Sequence, residues 1–420
     1  MNIDSVFDKV VSKLYQNNSR KFFLLSAAFA VIGLIGFALQ LLGDHPERAW
    51  MNYLINLIYF MGIAQAGVIL SVIFFLTKAK WGRVIKRLSE GFGFFLPFAL
   101  LGVIILIIGS EYLYPWIKHP IEQKAAWLNK SGFFIRNIIA LVVLFTLSLV
   151  YVYYSIRMDA GYLIHDKKVK AKRMLAFFAG NWKGLDAELR NSEKITGVLA
   201  PIIAILYAVI FSFVGIDFVM SLDPHWMSTL FGAYIFMTAI FQALAAVAIV
   251  AIILREKFEL KEIITPDHFN DLGILTFAFT MVCLDFFYSQ FLVIWYGNLP
   301  EETHYIILRT AKSPWQAVAY FVLAVAFTIP FIGLISKKIK RTPKAFMVIA
   351  LVILTGMWFE RFILIAPAVW HYDTLPFGIF EILIALGFFG AFSMVYLCFL
   401  KNIPILPVTD PLLYQQKRSH

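Results

Sequence analysis

WMSTLFGAYIFMTAIFQALAAVAIVAIIL, residues 226–254, contains no Asp, Glu, Lys or Arg from end to end. A helix of that character has no polar face to offer water, and about 20 such residues suffice to cross a bilayer. Runs of the same kind fall at 22–43, 51–77, 92–113, 133–156 and 196–220 before it, and at 271–295, 315–335, 344–367 and 376–400 after it. These ten spans leave only short connections, the longest being 157–195, too small for a separate catalytic domain. Composition agrees: of 420 residues 60% are hydrophobic, only 15% are charged and 42 are Phe, with a mean hydropathy of +0.77. A soluble chain needs about a quarter of its residues charged. No lumenal strand pattern appears, so the expectation is an all-α integral membrane protein and not a barrel.

Lys and Arg set the orientation. Of 37, the N-terminal tail, the loops after spans 2, 4, 6 and 8 and the C-terminal tail hold 29. The opposite side holds 6, and Arg136 and Arg361 lie inside spans. Such a bias places both termini in the cytoplasm. It also accounts for the net charge of +11, which has no aromatic-interleaved or Gly-rich setting of the kind that binds nucleic acid. The expected organisation is a cytoplasmic segment 1–21, a ten-helix transmembrane domain 22–400 and a cytoplasmic tail 401–420. The first 20 residues are polar and do not read as a cleavable signal. Ile3, Phe7, Val10 and Leu14 recur at helical spacing beside Lys9 and Lys13, the pattern of a short amphipathic helix on the inner surface, with an unstructured tail as the alternative.

The sequence also repeats. Aligning Trp50 with Trp226 without gaps matches Met51/Met227, Leu54/Leu230, Phe60/Phe236 and Met61/Met237. Further on, Ser110-Glu111-Tyr112-Leu113 answers Ser289-Gln290-Phe291-Leu292, while Asp217 and Arg361 each stand nine residues before a Trp. Spans 2–5 and 6–9 are therefore expected to form two parallel-repeat four-helix bundles, with spans 1 and 10 flanking them. Trp50, Trp116, Trp127, Trp226, Trp295, Trp315 and Trp370 all fall at the outer side, as an aromatic belt or as a docking surface.

Ionisable groups inside a membrane are costly, so each is a functional candidate. Glu111, Arg136, Asp217, Asp285, Glu360, Arg361 and Glu381 all fall in the middle or outer half. Asp217, Asp285, Glu360, Arg361 and Glu381 are candidates for proton transfer, with a structural ion-pair network as the alternative. Glu111 and Arg136, near span ends, read as structural ion pairs. Adjacent on a helix, Glu360 and Arg361 point about 100° apart, so each is expected to find a partner elsewhere, Arg361 on Asp217 or Glu381. The inner half offers Asn56, Gln65, Gln242, Thr276 and Thr280, and only Glu90 is acidic. Two polar outer loops, carrying Asp223, His225 and Trp226, and Trp295, Asn298 and Glu301, are docking candidates. All eight His fall in loops or the tail, so no haem or metal site is expected in this chain. Cys283 and Cys398 exclude a disulfide framework or a Cys-rich cluster, and P-loop and Ser/His/Asp arrangements are absent.

MSLDPHWMSTLFGAY (220–234), SQFLVIWYGNLPEET (289–303) and the ending PVTDPLLYQ (407–415) resemble the F-type membrane subunit of bacterial alternative complex III. That complex is a quinol:cytochrome c, or high-potential iron–sulfur protein, oxidoreductase. The family belongs to the membrane-anchor superfamily of polysulfide and nitrite reductases, built as two four-helix bundles with flanking helices. The resemblance implies a bacterial inner-membrane subunit without cofactors of its own, active in proton translocation or structural support. It also implies partners: a C-type paralogous membrane subunit, an extracytoplasmic iron–sulfur subunit, multihaem and monohaem cytochromes c, small anchor subunits and a terminal oxidase. Haem c and iron–sulfur clusters would sit in those partners, and quinol would be oxidised chiefly at the C-type paralogue, at a site described as using His and acid. Spans 2–5 here contain no His. The competing readings are a quinol-binding subunit in its own right, around Asp285 and Tyr288, or an independent secondary transporter. Pro97, Pro201 and Pro330 do not fall at matching places in the two repeats, which counts against the transporter.

Overall fold

The computed structural model describes residues 20–167, Val169 and 172–414, so the amphipathic segment expected at the N-terminus lies outside the described residues. Among those residues there is no strand, and ten helices are long and apolar enough to cross a membrane. They are α1 Arg20–Leu41, α2 Pro46–Leu76, α3 Arg83–Leu113, α4 Lys130–Asp166, α5 Leu185–Leu222, α6 Phe231–Lys257, α7 Pro266–Gly297, α8 Trp315–Ile335, α9 Pro343–Val369 and α10 Ile379–Asn402. Each corresponds to one expected span. Several run longer than the apolar stretches because local chemistry extends them, whereas α6 starts at Phe231, five residues after the expected span. Pro46, Pro266 and Pro343 open helices with a preset φ and no stranded N–H. Asn129 caps α4 through Gly132, and Thr265 with His268 caps α7.

The packing repeats. Helices α2 to α5 close a ring in which each touches the next and α5 returns to α2, and α6 to α9 close a second ring in the same order. The rings meet where α6 packs along α2 and α5, with α9 also against α2. Helix α2 therefore has neighbours on every side and is buried along nearly its whole length, which explains why its sequence is apolar all round. The pair α1 and α10 flanks this double ring, resting on α2 and the start of α3. Their crossing is a backbone contact: a Cβ on Gly33 would lie 2.2 Å from the Gly387 Cα, and one on Gly390 2.5 Å from the Ser26 carbonyl oxygen. Only glycine permits that approach, the device by which membrane helices gain dispersion energy without a hydrophobic driving force.

With an even number of crossings, the described chain starts and ends at one end of the bundle, here called proximal; the other is distal. The proximal end is closed by the segment after α10. Ile403, Ile405, Leu406 and Val408 are buried, and Asp410 pairs with Arg83 at 3.0 Å.

Candidate functional site

The candidate residues do not form one cluster. In the first ring Asp217 sits on a π-turn of α5, Gly215–Val219, fully buried. Its Oδ2 accepts from Arg136 Nε at 3.0 Å and Nη2 at 2.9 Å and from Asn137 Nδ2 at 2.7 Å, and its Oδ1 from Trp127 Nε1 at 2.9 Å. The guanidinium lies 3.8 Å from the centre of the Trp127 ring. Both carboxylate oxygens are bonded, and the distal mouth of the ring is closed over them: Trp116 Nε1 donates to the Ser221 carbonyl and Tyr114 Oη to that of Phe218.

Glu381 ties the flanking pair to the rings. Arg48 donates to both carboxylate oxygens at 2.8 Å, and Asn52, Gln40 and the Gly378 N–H donate at 2.6, 3.0 and 2.6 Å. Arg48 was not foreseen. The nearest sequence signal was its place two residues before the repeat's first Trp.

In the second ring the expectation about Arg361 is corrected. Its partner is neither Asp217 nor Glu381 but its own neighbour: Nη1 lies 3.0 and 2.8 Å from the two Glu360 oxygens, and Nη2 donates to Thr238 Oγ1 at 2.6 Å. Adjacent side chains leave a helix in different directions, yet the long Arg stem folds back, because both heads are buried and α6 supplies the third group. Tyr234, one turn before Thr238, hydrogen-bonds Glu360. Beside the pair is a cavity of about 80 Å³ bordered by Tyr234, Gln290, Tyr305, Arg309 and Glu360. Tyr305 is sandwiched, with the Trp226 ring 3.7 Å away on one side and the Arg309 guanidinium 3.4 Å on the other. Burial pushes its hydroxyl up to about 12 despite that cation. Trp226 is thus a buried pillar and not part of the loop's surface, where His225, Trp295, Asn298 and Glu301 are exposed and Asp223 is partly so.

The proximal half is richer than expected. Glu90 Oε1 accepts from Ser71 Oγ at 2.7 Å and Ser155 Oγ at 2.8 Å, and Oε2 from Arg87 at 2.6 Å. Arg87 also binds Asp159, whose other oxygen accepts from the Thr409 N–H and hydroxyl at 2.9 and 2.8 Å. Arg83, Lys86 and Arg87 face Glu90, Asp159 and Asp410, three charges against three. The reading that only Glu90 was acidic there missed Asp159, because α4 continues to Asp166 where the apolar run stops at 156.

Between these two sites lies a line of buried polar side chains. Gln242 follows Thr238 by one turn of α6 and faces Gly62 of α2, where a Cβ would stand 3.4 Å from Gln242 Oε1. Gln65, one turn from Gly62, donates to Ser148 Oγ at 2.9 Å, and Tyr151, a turn further along α4, reaches Ser71 and so Glu90. Both amide atoms of Gln242, Gln65 Oε1 and Arg361 Nε are buried with no protein partner. The remaining candidates stand apart. Glu111 pairs with Lys130 at 2.6 Å on the surface, and Asp285 is exposed on α7. Among the described residues no three His, Cys, Asp or Glu side chains converge as metal ligands.

No curated protein matches the sequence. A family model does: that of polysulphide reductase, NrfD, matches residues 40–371, from the end of α1 to just past α9, taking in both rings. The chain therefore belongs to the NrfD family of polysulphide reductases, integral membrane subunits of redox complexes.

Proposed function

We propose that this chain is the cofactor-free membrane subunit of a quinol:cytochrome c, or high-potential iron–sulfur protein, oxidoreductase of the alternative complex III type, and that it conducts protons. The proximal end faces the cytoplasm of a bacterial inner membrane, as the Lys and Arg bias requires. The distal loops dock an extracytoplasmic iron–sulfur subunit and cytochromes c that hold the redox groups, beside a C-type paralogous membrane subunit.

The observation that carries proton conduction is the succession of buried polar groups from Glu360 through Thr238, Gln242, Gln65, Ser148, Tyr151 and Ser71 to Glu90, Arg87 and Asp159. A purely structural network closes its hydrogen bonds, as that of Asp217 does. This one leaves Gln242 and Gln65 Oε1 open in the middle, where bound water completes such groups and relays a proton. Glu360 is the loading group: ionised, it is neutralised by Arg361, and on protonation the guanidinium keeps its hydrogen bond to Thr238.

Quinol oxidation is assigned to the C-type paralogue. The cavity beside Glu360, about 80 Å³, is smaller than the roughly 150 Å³ that seats a benzene ring, whereas an apolar cavity of about 830 Å³ bordered by Tyr59, Trp358, Glu381 and Tyr396 favours quinol binding by this chain as the second reading. The test is the native complex reconstituted in vesicles with Glu360→Gln or Gln242→Leu. Quinol turnover is expected to persist while protons moved per electron fall at least about twofold, and Glu111→Gln, on the surface, changes neither. Unchanged stoichiometry in normally assembled variants refutes conduction by this path. A complex that purifies without haem c or iron–sulfur partners refutes the assignment.

A further inference from the structure

Helix α7 is the most exposed helix of the second ring, and its exposed residues are ordered. Ile274, Ala278, Met281, Asp285, Tyr288 and Trp295 follow at steps of four, three, four, three and seven, and all are exposed. A stripe at steps of three and four is one outward face, or seam, of the helix, and by spacing alone it suits lipid and a second helix equally. Asp285 sits inside this seam. It lies 12 residues from Gly297 and 19 from Pro266, so about 18 and 28 Å from the two helix ends. That depth is within the hydrocarbon layer, where a carboxylate facing lipid is strongly disfavoured.

The described residues do not neutralise it. Asp217, Glu360, Glu381 and Glu111 each hold a cation, whereas Asp285 has no ion-pair partner among the described residues. A second copy offers none at that level either: Arg361 is buried on Glu360, and Arg136 is bound to Asp217 near the distal end. A symmetric contact through this face would moreover bring two Asp285 side chains together.

We infer that the α7 seam is covered by a membrane-spanning helix of a different subunit, one that sets a Lys, Arg or His against Asp285. The inference rests on the reading of this chain as part of a multisubunit membrane complex and names the surface by which it is held there. Met281 and Tyr288 flank the carboxylate by one turn on either side and pack against the incoming helix, while Trp295 anchors the seam at the distal interface.

The experiment places the photo-crosslinking residue benzoylphenylalanine at position 281 or 288 in the complex isolated from its native host, with position 101 on the exposed face of α3 as control. Both α7 positions are expected to mark one membrane-spanning segment of a second subunit, containing a basic residue, that position 101 does not mark. Asp285→Lys is expected to lower the amount of that subunit per complex at least about tenfold by like-charge repulsion, and reversing the partner's basic residue to Glu is expected to restore it. Because a lysine in mid-span perturbs insertion, Asp285→Asn is made beside it and is expected to lower the crosslink yield while the chain stays folded. Crosslinks to lipid alone, to a second copy of this chain or to a helix without a basic residue overturn the inference. So does wild-type subunit content in Asp285→Lys. If haem c and iron–sulfur subunits co-purify while the crosslink goes to lipid, the docking surface fails and the assignment of the complex stands. A chain that purifies alone overturns both.

Discussion

Pro367 lies inside α9 and has no N–H to give the Ile363 carbonyl four residues earlier. The structure fills that gap from another helix: Arg309, on the short helix Pro300–Thr310, donates Nε to the Ile363 oxygen and Nη2 to that of Leu364, both at 3.0 Å. Replacing Arg309 by Met leaves the Ile363 oxygen buried and bare, worth about 1–3 kcal/mol. Losing the stack on Tyr305 adds about 0.5–2 kcal/mol. The single variant should therefore lose roughly 2–5 kcal/mol. Pro367→Ala restores the missing N–H and should recover about 1–3 kcal/mol, but only where Arg309 is absent, since in the parent protein the carbonyl is already satisfied. The quantity to measure is the coupling energy of the cycle, from reversible SDS unfolding in mixed micelles followed by far-ultraviolet circular dichroism. Membrane hydrogen bonds are often as weak as about 0.6 kcal/mol, which sets the floor. Additivity of the two substitutions within about 0.5 kcal/mol would refute the carbonyl-capping argument.

Arg136→Met should destabilise the first ring by about 3 kcal/mol, because Asp217 is left charged and buried with only neutral donors, and adding Asp217→Asn should recover most of it in the same unfolding assay. Gly33→Leu forces a side chain into the Gly387 backbone, so α1 and α10 should separate. A cysteine pair placed across that crossing would then cross-link in the parent but not in the variant. The Tyr305 hydroxyl is raised to about 12 from about 10 in an unfolded chain. Its contribution to stability is therefore full below pH 10 and lost as pH rises toward 12. Tyr305→Phe should lose less stability than the parent across that window, by at most one proton's worth, and identical pH profiles for the two proteins would contradict the buried, protonated hydroxyl.

Most of the architecture was legible because membrane insertion is decided by contiguous residues. The run 226–254 announces a span whatever packs on it, and the match of Trp50 to Trp226 anticipated two rings with the same order of neighbours. The pairings were not legible. Asp217 and Arg361 occupy equivalent places in the repeat and looked like partners across the rings. Arg136 reaches Asp217 first, from the adjacent helix, and Arg361 turns back on Glu360 because Thr238 and Tyr234 wait on α6. Arg309 had no signal of its own, since its role exists only through the gap that Pro367 leaves on another helix.

Hydropathy, charge bias and repeat spacing are sums over local sequence, so the sequence by itself determined ten spans, their alternating direction and the residues that had to be buried at a cost. Which carboxylate meets which cation depends on side chains brought together from positions as many as 333 residues apart, as Arg48 and Glu381 are. So does the closure or openness of each network: Asp217 bonded at both oxygens, Gln242 left open between the rings, Asp285 turned outward. Tertiary structure alone decided those matters, because in a medium without water the free energy of a polar group is set by the partners that packing brings within reach.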